Sequence, residues 1–395
     1  MNRALAQAYP RALADDPATQ KKLAFNFRKN REQDHTARLD EAARAFVYDD
    51  CKGEFWHDES YSLLHGTPLW DEASSAQRLL LNHLYWVAYY AQIISAEIAT
   101  ILLNQTAAAG LSTIEDFRVV GDLLDLETSQ ERAHIEAFKT IGEAVEEKVL
   151  GERLFTYPMR SMFTETMLFH ERRRAASAWR TFQIRAFTLL SASRAFIGGQ
   201  YFTVRGLRTL NGKMVQQALA QHVMRHPDKG SAPAPSRVSY YHFLDESFHF
   251  ASSCLLSRDL LASLPPPTSF ERFVANRAIE GCQRDHRRFS IAVRGLFWHD
   301  PALFPAILRL LRSPAFGMDA GDAWEMIRRC FTEETEALHA AHRLHQTAVE
   351  SYRAFVDPLP YVSAANRAMS VMAASTISEY LADARRAWTR LPLQA

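Results

Sequence analysis

The chain has 395 residues, 47% hydrophobic and 11% aromatic, enough for one large core or two modest ones. Lysine and arginine total 46 against 45 acids, and this balance (net charge +1) excludes a general field for nucleic acid or an anionic membrane. The 4 cysteines, Cys51, Cys254, Cys282 and Cys330, form no CxxC pair, so they read as reduced thiols and not as a disulfide frame or zinc ribbon.

At the N-terminus, "MNRALAQAYPRALADDPATQ" lacks the continuous apolar core of a signal peptide. No stretch of about 18 uncharged apolar residues follows, so the expectation is a cytoplasmic protein with no spanning helix. The 15 glycines are few, alternating strand patterns are scarce, and apolar residues recur at helical spacing. Residues 1–70 read as an irregular to partly helical segment. A turn at "LLHGTPLWDEASS" leads into a first long helix over roughly 75–104. "STIEDF" carries a Ser–x–x–Glu capping box, Ser112 and Glu115, which opens a second segment expected to bend before 127–148. A third helical stretch runs from about Glu165 to Tyr201, with room to continue past Gly206. The breaker cluster "RHPDKGSAPAPSR" then precedes a fourth helix over about 239–262. "LPPPTS" interrupts the chain, and further helices fill 268–394. The pattern is all-α: a four-helix bundle over 71–262 between the N-terminal segment and C-terminal packing helices over 263–395, read as one continuous domain.

The chemistry concentrates on these helices. In "YYHFLDESFHFASS", His242, Glu246 and His249 stand at i, i+4 and i+7, on one helical face. Upstream, "LETSQERAHIEAF" places Glu131 and His134 at i, i+3, with Glu127 one turn earlier. Such polar groups are costly to bury unpaired, so the choices are a solvated face, a hydrogen-bonded core cluster or a metal. One Glu-x-x-His is weak evidence, since Glu336 and His339 share the spacing and read as a surface or structural pair. Two such units on separate long helices are more specific. Glu97 is a single acid within "YWVAYYAQIISAEIATILLNQ", and antiparallel pairing of its helix with the next sets it at the depth of Glu131. Dinuclear sites in bundle cores take two Glu-x-x-His units plus a glutamate from each of two other helices, and iron or manganese accepts such mixed ligands. An internal salt bridge is the competing role for Glu97. Glu127 reads as an acid behind the ligands or an exposed helix residue. Asp245 faces away or accepts an N–H from a ligand imidazole. Tyr90 shares the face of Glu97 and either packs or lines a pocket.

The order Glu97, Glu131-x-x-His134, His242-x-x-x-Glu246-x-x-His249 resembles the ferritin-like dinuclear non-haem oxygenases. The additional His242, with Asp245 beside Glu246, is similar to the p-aminobenzoate N-oxygenase group. The resemblance covers about residues 60–262. It implies a ferritin-like bundle with additional N- and C-terminal helices, two Fe ions (Mn an alternative at one site), O2 as co-substrate and N-oxygenation of an aryl or alkyl amine. The metal ligands it implies are Glu97, Glu131, His134, His242, Glu246 and His249. The family pattern also takes a glutamate from the third helix, where this chain offers Gln200 near "AFIGGQYFTVRGL" or Glu165 earlier. Gln200 supplies no negative charge. A vacated carboxylate place motivates the alternative of C–H hydroxylation or halogenation on an unactivated, carrier-bound acyl substrate. Iron storage suits a shorter bare bundle. Expected partners are a small-molecule or carrier-bound substrate and an external electron donor, with no nucleic acid and no membrane; a homodimer is the candidate assembly.

Overall fold

The computed structural model describes residues 13–155, 175–226, 228–286, 289 and 304–390. Every regular element among them is helical. Two N-terminal helices, α1 (Pro17–Glu32) and α2 (Thr36–Arg44), precede the bundle helices α3 (Ser75–Leu111), α4 (Arg118–Leu150), α6 (Ala195–Arg225) and α7 (Ala234–Cys254). An extra helix, α5 (Ala175–Ser193), leads into α6. Beyond the bundle lie α8 (Ser269–Asp285), α9 (Phe304–Arg312), α10 (Ala320–Thr332), α11 (Glu336–Val356) and α12 (Ile377–Trp388).

Several boundaries differ from the sequence reading, each for a local reason. Helix α3 begins at a capping box in which Ser74 and Gln77 satisfy each other's backbone N–H groups, and it runs on to Leu111. Ser112 donates its hydroxyl back to the Ala109 carbonyl, and Asp116 takes a positive φ of 63°. The Ser112–Glu115 motif is therefore part of the turn out of α3, and α4 starts later, at Arg118, with no break before 127. The third stretch is two helices, interrupted at Arg194, whose extended backbone (φ −141°, ψ 121°) redirects the chain. Helix α7 starts ahead of Ser239 because Pro235 falls in its first turn, where a missing N–H costs nothing. It ends in a π-helical turn, Leu255–Leu260. The described residues 13–70 are largely helical.

Helix α3 is long and apolar enough to cross a membrane, yet 61% of its most apolar stretch is buried within the protein. Its neighbours α4, α5 and α6 explain that apolarity. Near its end a Cβ on Gly110 would stand 2.0 Å from the Ser191 carbonyl oxygen, so only glycine admits this crossing with α5.

Buried apolar residues form two clusters, one around Trp56, Trp86 and Phe138, the other around Leu103, Phe202 and Tyr352. The change from one to the other falls between Ile94 and Leu103 on α3, and between Leu124 and Ile135 on α4. On α6 it falls between Leu207 and Val215, and along α7 between Val238 and Leu256 of the π-helical turn that follows it. Four helices thus share one seam, and Glu97, Glu131, His134, His242, Glu246 and His249 lie along it.

Candidate metal centre

Glu97 of α3, Glu131 and His134 of α4, and His242, Glu246 and His249 of α7 meet at that seam, all buried. Helical spacing supplies the convergence: each triplet or pair stands on one face, and the apolar residues above and below hold those faces inward. Ligand atoms of Glu97, His134, His242 and Glu246 lie within 4.8 Å of one another, and so do those of Glu131, Glu246 and His249. Glu246 belongs to both groups. Its Oε1 is 3.6 Å from His242 Nε2 and 3.0 Å from His249 Nδ1. Glu131 also spans the centre, with Oε2 3.6 Å from His134 Nδ1 and Oε1 3.3 Å from His249 Nδ1. Glu97 Oε1 faces His242 Nε2 at 3.2 Å and His134 Nδ1 at 3.7 Å. The first position therefore draws on two imidazoles and Glu97, and the second on His249 alone besides the shared carboxylates.

These donors fit metal binding better than a hydrogen-bonded core. Both Glu97 oxygens, Glu131 Oε2, His134 Nδ1 and both His242 nitrogens are buried and find no hydrogen-bond partner among the described residues. Leaving that many polar atoms unsatisfied is expensive, and Glu and His atoms turned toward a common point are the donor set of iron or manganese. The electrostatics agree. Burial pulls His249 down, but Glu246 and Glu131 outweigh it and hold the imidazole well above its usual range. Burial likewise opposes His134, which Asp245, Glu131 and Glu97 raise. Burial pushes Glu97 up, against the pull of His134 and His242. Without metal the cluster retains protons.

The outer contacts are unequal. Asp245 Oδ2 lies 3.3 Å from His134 Nε2, and Asp245 Oδ1 accepts from the His35 backbone N–H at the start of α2, 3.1 Å away. His249 Nε2 instead meets a neutral group, Gln130 Oε1, at 3.0 Å. Gln130 is fixed by a reciprocal amide pair with Asn30 of α1, at 2.8 and 3.0 Å. Nothing in the sequence before residue 70 signalled that α1 and α2 reach this centre. Gln130 adjoins Glu131 and lies one turn before His134, which is the only hint it gave.

Other residues singled out from sequence take different places. Glu127 is fully buried and paired with Arg205 of α6 at 2.6 Å, so it is not exposed. Arg205 also donates to Asn104, Ser253 and the His249 carbonyl. Tyr90 is buried with its ring 5.7 Å from that of His242 and 4.1 Å from that of Phe138. Gln200 precedes the seam on α6 and turns its amide N–H toward the Ala275 carbonyl of α8, 3.5 Å away, while its Oε1 is buried with no hydrogen-bond partner among the described residues. From Gln200 the helix runs on to Arg225 and meets the seam between Leu207 and Val215. Glu165 lies outside the described residues. Helix α6 contains no Asp or Glu at all, so it brings no carboxylate to the seam. His339 pairs with Glu334 at 2.8 Å on the exposed face of α11, apart from the centre.

No curated protein and no solved structure matches the chain. A family model, that of the CylC-like acyl halogenases, matches residues 18–391, both Glu-x-x-His units and the N-terminal helices behind them included. With nearly its whole length matched, the chain belongs to the CylC-like acyl halogenase family.

Proposed function

We propose that this protein holds two iron ions at the seam and uses O2 to replace an unactivated C–H bond of an acyl chain, free or carrier-bound, by a halogen. Membership of an acyl halogenase family supports an oxidative enzyme. The observation that carries the halogenase reading is the uneven donor set. The second group holds only Glu131, Glu246 and His249, and the third bundle helix adds no acid. Among the described residues three carboxylates face two divalent cations, so one negative charge is wanting there and coordination places remain open beside His249. A halide supplies that charge and fills such a place.

When bound, the iron pair would supply the oxidising power that takes hydrogen from carbon. The chain's own groups do the rest. Glu246 and Glu131 hold the two positions together, and Asp245 and Gln130 fix the imidazole planes by accepting their outer N–H groups. Phe138 and Tyr90 close the His242 side with apolar surface, which keeps water from that wall. N-oxygenation, which the His242 triplet suggested, gains no support from the family match.

The test is anaerobic loading with Fe(II), then O2 and an external reductant with chloride or bromide, over free and carrier-bound acyl chains. A product mass shifted by one halogen, with its isotope pattern, is expected. Hydroxylated acyl product without halogen, under saturating halide, would instead make the open place a water site. Oxidised amine in a parallel reaction would return the N-oxygenase reading.

A further inference from the structure

A line of oxidisable rings leads away from the centre. The Tyr90 ring is 5.7 Å from that of His242, and Trp86 is 4.5 Å from Tyr90. Trp56 follows at 6.2 Å, and Tyr48 at 6.1 Å from Trp56. Tyr90, Trp86 and Trp56 are buried, while Tyr48 is half-buried at the surface. Packing alone explains large rings in a core. It does not explain how the line ends. The Tyr48 hydroxyl is 3.1 Å from His83 Nδ1, and His83 Nε2 is 2.9 Å from the Glu54 carbonyl oxygen. A carbonyl only accepts, so Nε2 carries the imidazole proton, Nδ1 is bare, and the phenol donates. Burial holds His83 down at about 4, so the ring is neutral and ready to accept. His83 also stacks on Trp56 at 4.1 Å, which joins the base to the last two rings of the line.

We propose that Tyr90, Trp86, Trp56 and Tyr48 form a hopping route that drains oxidising equivalents from the metal centre to the surface when no substrate takes them, with His83 receiving the Tyr48 proton. This rests on the centre being an oxygen-activating metal site. Each transit moves one electron inward: the centre is reduced by one electron, and the deficit passes outward through Tyr90, Trp86 and Trp56 to Tyr48. Oxidised Tyr48 gives its phenolic proton to His83 Nδ1 and remains as a neutral radical. An external thiol restores it: the thiol gives the radical an electron and releases its own proton to solvent, His83 returns the phenolic proton to Tyr48 and is neutral again, and two thiyl radicals couple to a disulfide over two transits. A competing branch runs from Tyr90 through Tyr89 and Tyr85 to Tyr61, with rings 5.0, 6.2 and 6.3 Å apart.

The experiment exposes the full-length, iron-loaded, reduced protein to O2 without acyl substrate or thiol. It reads iron content, O2 uptake, the electron paramagnetic resonance of freeze-quenched samples, and oxidised residues by peptide mass. A tyrosyl signal and oxidation at Tyr48 are expected. Tyr48→Phe should keep its iron, lose that signal and shift oxidation onto Trp56 and Trp86. His83→Gln should shorten the life of the radical, since no bare imidazole nitrogen takes its proton. Iron uptake and O2 consumption with no protein radical would overturn the route and leave the proposed function standing. An unchanged signal in Tyr48→Phe that vanishes in Tyr61→Phe would overturn it in favour of the tyrosine branch. Failure to take up iron would overturn the functional reading, and the route with it.

Discussion

His134 and His249 are chemically alike in sequence and unlike in structure. One leans on a carboxylate, Asp245, and the other on an amide, Gln130, which cannot take charge. The anionic partner makes His134 the stronger donor, so the first position should bind metal more tightly than the second. Gln130→Leu leaves His249 without its outer acceptor, and weakens the second metal by about 10–100-fold, the usual effect of losing such a contact. Asn30→Ala should act in the same direction and less strongly, because it frees Gln130 without removing it. Metal titration followed by elemental analysis reads both. Proton release gives a separate check. His134 and His249 sit well above the usual imidazole value of about 6.5 because nearby carboxylates outweigh their burial. Metal binds only the deprotonated ring. Binding must then release protons at neutral pH, and affinity must fall as pH falls through the raised values, starting above the ordinary histidine range. Calorimetry in buffers of different ionisation enthalpy measures that release; a heat independent of the buffer would contradict it.

At the scale of elements, the Glu127–Arg205 pair pins α4 to α6 beside the seam. Removing one partner of a buried pair leaves an uncompensated charge, so Arg205→Met should cost about 3–5 kcal/mol in denaturant unfolding. Pairing it with Glu127→Leu should recover most of that loss. Gln200→Glu makes a complementary case. Its amide N–H faces the Ala275 carbonyl in an apolar cluster, so a carboxylate there meets oxygen and desolvation, not metal. The variant should lose stability without gaining metal affinity, as melting and metal titration together would show. These two residues also explain what the sequence disclosed. Glu97, Glu131, His134, His242, Glu246 and His249 were legible because helical spacing turns them to one face, and the bundle follows from the length of the apolar runs. Gln200 took its third-helix place from helix order alone, with room for that helix to run past Gly206; α6 extends to Arg225 and meets the seam between Leu207 and Val215, beyond Gln200. Arg205, Asn30 and the His35 backbone were invisible, because each acts through tertiary contact and carries no periodic signal.

For the whole molecule, the seam is both the site and the weakest layer of the core. Apolar clusters lie on either side, and between them three carboxylates and three imidazoles are buried with many atoms unpartnered. Such a layer costs stability until something satisfies it. Metal held by α3, α4 and α7 would tie these helices together, while α1 and α2 brace the layer from outside through Asn30 and His35. Binding to the folded state alone stabilises by mass action, about 2.7 kcal/mol at a free metal concentration roughly 100 times the dissociation constant. Anaerobic Fe(II) or Mn(II) should therefore raise the melting temperature, and a chelator should return it to the metal-free value. Glu246→Ala removes the carboxylate shared by both positions and should abolish the increment, whereas His339→Ala, on the exposed face of α11, should retain it in full. Scanning calorimetry separates these outcomes. An equal metal-induced rise in Glu246→Ala and the unaltered protein would place the metal outside the seam.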